Sequence, residues 1–197
     1  MKFTDPIMQQ LVAKYPKPHF ADRTEKLYEN LIESIISQQL SVKASDTIYK
    51  RFVELFKKQG RQQNDTTFPT PQQILRMPDE TIRLAGISFQ KISYIKSVAD
   101  AFVSGLIDVK KIQKMTDDEV IVALTQIRGV GKWTAEMILI FTLNRPDVFS
   151  VGDLGLRNAI TKLYGITDQQ KMLELSKMWQ PYRSNACWYL WRSLENV

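Results

Sequence analysis

The sequence has one cysteine, Cys187, and one histidine, His19. No disulfide can form within the chain, and no Cys/His metal cluster or four-cysteine iron–sulfur centre can be assembled. No apolar run of about 20 residues is present that would span a bilayer. The N-terminal MKFTDPIMQQ lacks the apolar stretch of a secretory signal. Low-complexity segments, long charged tails and internal repeats are also missing. These absences lead to the expectation of a cytoplasmic chain with no membrane partner. Sustained period-two alternation is missing as well, which argues against β-strands. What remains is an ordinary globular composition, 44% hydrophobic and 24% charged, over 197 residues. That length suits one compact domain or two small lobes sharing an interface. The surplus of cations gives a net charge of +6, which favours polyanionic partners through Coulomb attraction and counterion release. Charge of this size is compatible with nucleic acid without requiring it.

Helical periodicity runs almost throughout. Within LYENLIESIISQQL, the residues Leu27, Leu31, Ile32, Ile35 and Ile36 fall on one helix face. KASDTIYKRFVELFKK repeats the pattern at Ile48, Phe52, Val53, Leu55 and Phe56. Between Gly60 and Pro71 the sequence turns polar and includes two prolines, which reads as a long loop. Asp79 opens a short helix that Gly86 ends, and Ser88 and Gly105 bracket another. Thr116 with Glu119 three residues on is the capping-box pattern. Further helices are expected at KWTAEMILIFTLN, LGLRNAITKLYG, QQKMLELSKMW and after Pro181. The expected fold is all-α, with about ten short helices.

One connection carries chemistry. In LTQIRGVGKWTAEMI two glycines flank one apolar residue between two helices. Gly129 and Gly131 permit backbone geometry that a β-carbon would hinder. Val130 anchors the turn in the core. The next helix then presents its N-terminal N–H groups outward with Lys132 beside them, a device that binds phosphate without reading bases. A tight helix–helix connection with no ligand fits these few residues equally well.

Beyond the hairpin, five segments in order resemble the helix-hairpin-helix DNA glycosylase superfamily. The likeness is to the branch of bacterial 3-methyladenine DNA glycosylase II and its fungal relatives, without the N-terminal β-domain of the longer member. The segments are IISQQLSVKAS, AGISFQKISYIKSVADAF, LTQIRGVGKWTAEMIL, RPDVFSVGDLGLRNAI and WQPYRSNACWYLW. The resemblance implies a single glycosylase domain over residues 1–197, made of two helical lobes with a DNA-binding cleft between them. It further implies a monomer that acts on damaged double-stranded DNA in base excision repair, nucleoid-associated if bacterial.

It also implies roles for individual residues. Asp153, in DVFSVGDLGLR, matches the family's catalytic carboxylate, whereas Asp147 matches only the start of the DVF pattern. Breaking an N-glycosidic bond puts oxocarbenium character on the deoxyribose, and a nearby anion stabilises it. Asp is equally a favoured N-cap for the helix that follows, and the two roles are compatible. Bifunctional members carry a lysine where this chain has Trp133, so water is the expected nucleophile and an abasic site the product. Lys132 is adjacent but projects about 100° away on a helix. Trp133 and Trp191 match wall positions of the pocket for an extruded purine, and Tyr182 is a third candidate. Electron-rich rings favour a cationic alkylated base. Trp179 and Trp188 read as ordinary core. Gln38-Gln39-Leu40-Ser41 matches the segment that fills the hole left by the flipped base, with Gln39 preferred over Leu40 as the wedge. In relatives the hairpin carbonyls hold a monovalent or divalent cation. Here those are the main-chain oxygens of Thr125, Ile127 and Val130, and no other cofactor is expected. Three rivals remain: a bifunctional glycosylase for oxidised bases, a non-catalytic DNA-binding module on the same fold, and a helical protein-interaction domain.

Overall fold

A computed structural model describes residues 2–57 and 68–195. Twelve α-helices and two 3-10 turns make up the regular structure of those residues, with no strand among them. None of these helices is long and apolar enough to cross a membrane. The chain divides into two compact units, Thr24–Ala135 and a unit built from both ends, Met1–Arg23 with Glu136–Val197.

In the central unit the helices are α2 (Leu27–Ser37), α3 (Val42–Glu54), α4 (Pro71–Arg76), α5 (Asp79–Arg83), α6 (Phe89–Val103), α7 (Val109–Ile112) and α8 (Asp117–Thr125), entered through a 3-10 turn at Thr24–Lys26. Helix α6 is the hub, packed by α2, α4 and α5. The apolar stripe read in the sequence of α2 is the one that is buried: Leu27, Leu31, Ile32, Ile35 and Ile36 are all within 1% of full burial. From α6 the residues Ile92, Ile95, Val98 and Ala99 join the buried set. Helix α3 is shorter than its periodicity suggests. It ends at Glu54, and of its expected face only Phe52 is fully buried. Leu55 and Phe56 lie in the turn that follows, half-buried.

Several helix ends follow local rules. Thr116 and Glu119 form the expected reciprocal capping box at the start of α8. Ser88 caps α6 through the Lys91 N–H. Helix α4 was not expected, although its signal is present. Thr70 and Gln73 make a second capping box with Pro71 at the first helical position. The polar loop read between Gly60 and Pro71 ends where α4 begins, at Pro71, and its residues 60–67 lie outside the described residues.

The terminal unit holds α1 (Pro6–Lys14), the greater part of α9 (Lys132–Phe141), α10 (Leu154–Tyr164), α11 (Gln169–Ser176), a 3-10 turn at Lys177–Trp179 and α12 (Arg183–Arg192). Helix α12 packs against both α1 and α10. Its Ala186, Cys187, Tyr189 and Leu190 meet Met8, Leu156, Ile160 and Trp179 in one buried cluster. Trp179 is fully buried, and Trp188 lies partly buried against the same cluster with the Arg192 guanidinium over its ring, so both serve the core.

A polar centre is embedded in that cluster. Asp5 is 3% exposed and caps α1 by accepting the Ile7 N–H at 3.0 Å. Its other oxygen accepts the Trp179 indole N–H at 2.9 Å and the Tyr164 hydroxyl. Burial and the Asp5 carboxylate both push the Tyr164 phenol well above its usual range, which keeps it a donor. Replacing Asp5 by alanine strands the buried Trp179 N–H and the half-buried Tyr164 hydroxyl and removes a cap. Urea unfolding of Asp5→Ala should show a loss of about 3 kcal/mol or more, with α1 losing amide-exchange protection first.

Candidate functional site

The hairpin lies between α8 and α9. Val130 is 4% exposed, and its N–H donates to the Ile127 carbonyl at 3.0 Å, so it anchors the turn as its apolar character suggests. The two glycines differ. Gly129 sits at φ +93°, and a β-carbon there would stand 2.2 Å from Cγ of Tyr94. Gly131 has neither constraint: its φ lies outside the left-handed region, and an added β-carbon would meet nothing within 4 Å. The expectation that both glycines are demanded by the backbone holds for Gly129 alone. Gly131 is exposed, as are Lys132 and Trp133 on the first turn of α9, with Trp133 at 44%.

The loop after α2 is tied to this hairpin. Gln38 donates through Nε2 to the Gly129 carbonyl at 3.2 Å. The Lys91 ammonium donates to the carbonyls of Ile36 and Gln38, each at 2.7 Å. Those oxygens belong to the end of α2, where intrahelical partners run out. Desolvation lowers the Lys91 pKa, the cost of bringing an amine under a helix end. Beyond this brace Gln39 stands exposed at φ +59°, an uncommon setting for a residue with a β-carbon, and Leu40 is 38% exposed. Ser41 then caps α3.

The three carbonyls implied as cation ligands fall on the last residue of α8 and in the turn after it. The Ile127 oxygen already accepts the Val130 N–H, which leaves one lone pair. Neutral main-chain oxygens are hard ligands, compatible with an alkali or alkaline-earth cation. No group of three His, Cys, Asp or Glu side chains with metal-binding geometry occurs among the described residues.

The carboxylate lies in the terminal unit. Asp153 is the N-cap of α10, and its Oδ1 accepts the Leu156 N–H at 2.8 Å. The same oxygen accepts the Trp191 indole N–H at 2.9 Å. Gly155 makes room for this approach. A β-carbon on Gly155 would stand 3.1 Å from both Asp153 Oδ1 and Trp191 Cδ1. The Trp191 ring in turn lies 5.6 Å from Phe141, and Phe141 lies 5.7 Å from Phe20 edge-on. Tyr182, 36% exposed, immediately precedes α12. Asp147 is occupied differently. It takes a two-pronged ion pair from Arg183, Nε to Oδ1 at 2.8 Å and Nη2 to Oδ2 at 2.9 Å.

Residues with no local motif hold the segment that leads into Asp153. Ser184 accepts the Val148 N–H at 3.0 Å and donates to the Arg145 carbonyl at 2.6 Å. The Cys187 thiol, raised far above its ordinary pKa chiefly by burial, points at the Val148 carbonyl. Ser150 donates to the buried Glu136 of α9. Sequence reading passed over Lys91, Tyr94, Glu136 and Ser150. The contacts they make at this site span 14 or more residues, and no spacing rule connects them.

Residues 32–183 match the HhH-GPD superfamily base excision DNA repair protein family. The chain is 39% identical over 188 residues to DNA-3-methyladenine glycosylase 1 of Schizosaccharomyces pombe, covering 93% of this chain and 79% of that protein. Among solved structures it resembles a S. pombe 3-methyladenine DNA glycosylase in complex with abasic DNA, with a TM-score of 0.82 and 37% identity over 96% of this chain and 92% of that one. A DNA-3-methyladenine glycosidase from Bacillus halodurans gives a TM-score of 0.78 and 36% identity, covering 96% and 84%.

The contrast between the hairpin glycines is measurable in the free protein. Gly129→Ala should lose at least about 2 kcal/mol in denaturant unfolding, from positive-φ strain and displacement of Tyr94. Gly131→Ala should leave the midpoint unchanged or raise it slightly, by less than about 1 kcal/mol, because the unfolded chain loses freedom at no cost to the fold.

Proposed function

The chain belongs to the HhH-GPD superfamily of base excision DNA repair proteins, and from that premise we propose that it is a monofunctional DNA glycosylase that excises alkylated purines of the 3-methyladenine type and leaves an abasic site. One observation carries the reading. At the family's carboxylate position Asp153 is held by two N–H donors converging on a single oxygen, at 2.8 and 2.9 Å. A carboxylate fixed this way supplies a preorganised negative charge, which is what a developing oxocarbenium ion at the deoxyribose requires. It also orients or deprotonates the attacking water.

The leaving group needs little help. An N3- or N7-alkylated purine carries positive charge and departs neutral, so no strong general acid is required of the protein. Its recognition falls to aromatic faces. Trp133, Trp191 and Tyr182 are the proposed walls for the extruded base, attracting its cation through their π-systems. The Trp191 N–H is committed to Asp153, so the proposed wall residue also orients the carboxylate.

DNA is held by the hairpin. Gly131, free of any demand from its own fold, leaves the start of α9 bare enough for a phosphate to approach its amides, with Lys132 beside it. Main-chain oxygens of Thr125, Ile127 and Val130 would hold a cation there, adding positive charge next to the same phosphate. Gln39, exposed in its strained conformation beyond the Gln38 brace, is the proposed wedge into the gap left by the flipped base, ahead of Leu40.

Two experiments test the chemistry. In single-turnover assays on alkylated duplex DNA, Asp153→Asn should lower the excision rate by at least about a hundredfold, the scale for losing one preorganised electrostatic group. Its stability should change little, because Asn caps helices well. Asp147→Asn should excise at a near-normal rate while losing about 1 kcal/mol of stability with the Arg183 pair. Near-normal excision by Asp153→Asn would return that residue to a purely capping role. Separately, borohydride added during turnover should trap no covalent protein–DNA adduct and the abasic strand should stay intact, since Trp133 stands where a Schiff-base lysine would be. Efficient trapping would overturn the monofunctional assignment.

A further inference from the structure

Glu136 is a carboxylic acid at 6% exposure on α9, and no step proposed above uses it. A buried carboxyl group without good partners is costly. Glu136 meets this demand in part by accepting the hydroxyl hydrogen bond of Ser150, which is itself fully buried. Ser150 in turn accepts the Asp153 N–H on its own carbonyl at 3.0 Å, closing the tight turn that leads into α10. One residue of the turn is thus locked to α9 by its side chain and to Asp153 by its main chain. The preceding residues are fixed separately, by Ser184 and Cys187 of α12 at Val148.

We infer that Glu136, acting through Ser150, is a positioning residue for Asp153: it sets where the turn, and therefore the carboxylate, stands relative to the sugar. The inference rests on the reading of Asp153 as the reacting carboxylate. Glu136 is too deeply buried to touch DNA, so its effect on the reaction has to pass through the turn. A polar pair is suited to the task because a hydrogen bond fixes direction as well as distance, which apolar packing at the same place would not.

The test is a double-mutant cycle read by single-turnover excision, with binding to an abasic duplex and unfolding measured alongside. Ser150→Ala removes the donor, and Glu136→Met removes the acceptor at similar volume. Each should slow excision by about tenfold, since small misplacements of a reacting group are costly, while affinity for the abasic duplex stays within about twofold. Glu136→Gln retains an acceptor oxygen and should stay within about threefold of the parent rate. In the Asp153→Asn background, Ser150→Ala should cause no further loss, because a group that acts through Asp153 has nothing left to position. Parent-like excision by both Ser150→Ala and Glu136→Met, or a full additional tenfold loss on top of Asp153→Asn, would overturn the inference. So would equal losses of excision and of abasic-duplex binding, which mark general disruption. If one variant fails to fold, the other carries the same comparison. Asp153→Asn alone separates the two levels: a large loss there with no effect of Ser150→Ala refutes only the positioning role. Unimpaired excision by Asp153→Asn removes both.

Discussion

A carboxylate that is to act as a fixed charge must be met by donors where it stands, because each unmet oxygen in a partly dehydrated place pulls the side chain toward water or toward a proton. Two such donors meet Asp153, both on Oδ1. The start of α10 provides the Leu156 N–H, and α12 provides the Trp191 N–H to the same oxygen. Gly155 has no side chain because a β-carbon would press on both partners. The segment from Arg145 to Ser150 is pinned by Ser184, Cys187 and Glu136 before the chain turns into the helix. Capping and charge placement are one act here: the geometry that satisfies the helix end also fixes the anion.

The central unit solves a related problem with main-chain groups. The end of α2 leaves carbonyls without helical partners, and Lys91 covers two of them at the cost of partial desolvation of its amine. Gln38 then reaches the Gly129 carbonyl, so the loop that carries Gln39 and the hairpin that carries Gly131 share one brace. Tyr94 fills the space that Gly129 leaves open, which makes the left-handed turn and the packing of α6 mutually dependent. Exposed residues of both loops are therefore displayed from a shared base of hydrogen bonds and packing.

Two buried carboxylates of the terminal unit illustrate how similar chemistry serves different ends. Asp5 collects the Ile7 N–H, the Trp179 indole and the Tyr164 hydroxyl and ties α1 to residues 159 and 174 positions away. It holds the unit together. Glu136 grips a turn 14 residues away that leads into Asp153. Asp147, two-thirds or more buried and paired with Arg183, belongs with Asp5 on the structural side. The three differ in what lies at the far end of their hydrogen bonds, which their sequence surroundings do not reveal.

What the sequence determined by itself was local. Helical periodicity marked the buried face of α2, and the Thr116–Glu119 capping box appears where the residues call for it. Asp153 was legible as a cap and, through the order of five motifs, as a candidate carboxylate. These features are set within about four residues by hydrogen-bond rules of the helix itself. Helix α4 is equally local: its Thr70–Gln73 box is a signal of the same kind, set directly after the polar stretch. Tertiary structure alone decided the rest. The demand for glycine at 129 but not at 131 depends on where Tyr94 comes to lie. The bond from Trp191 to Asp153 spans 38 residues, and that from Gln38 to Gly129 spans 91. Such contacts leave no periodic trace, because the chain between the partners can be of any length as long as packing brings their ends together.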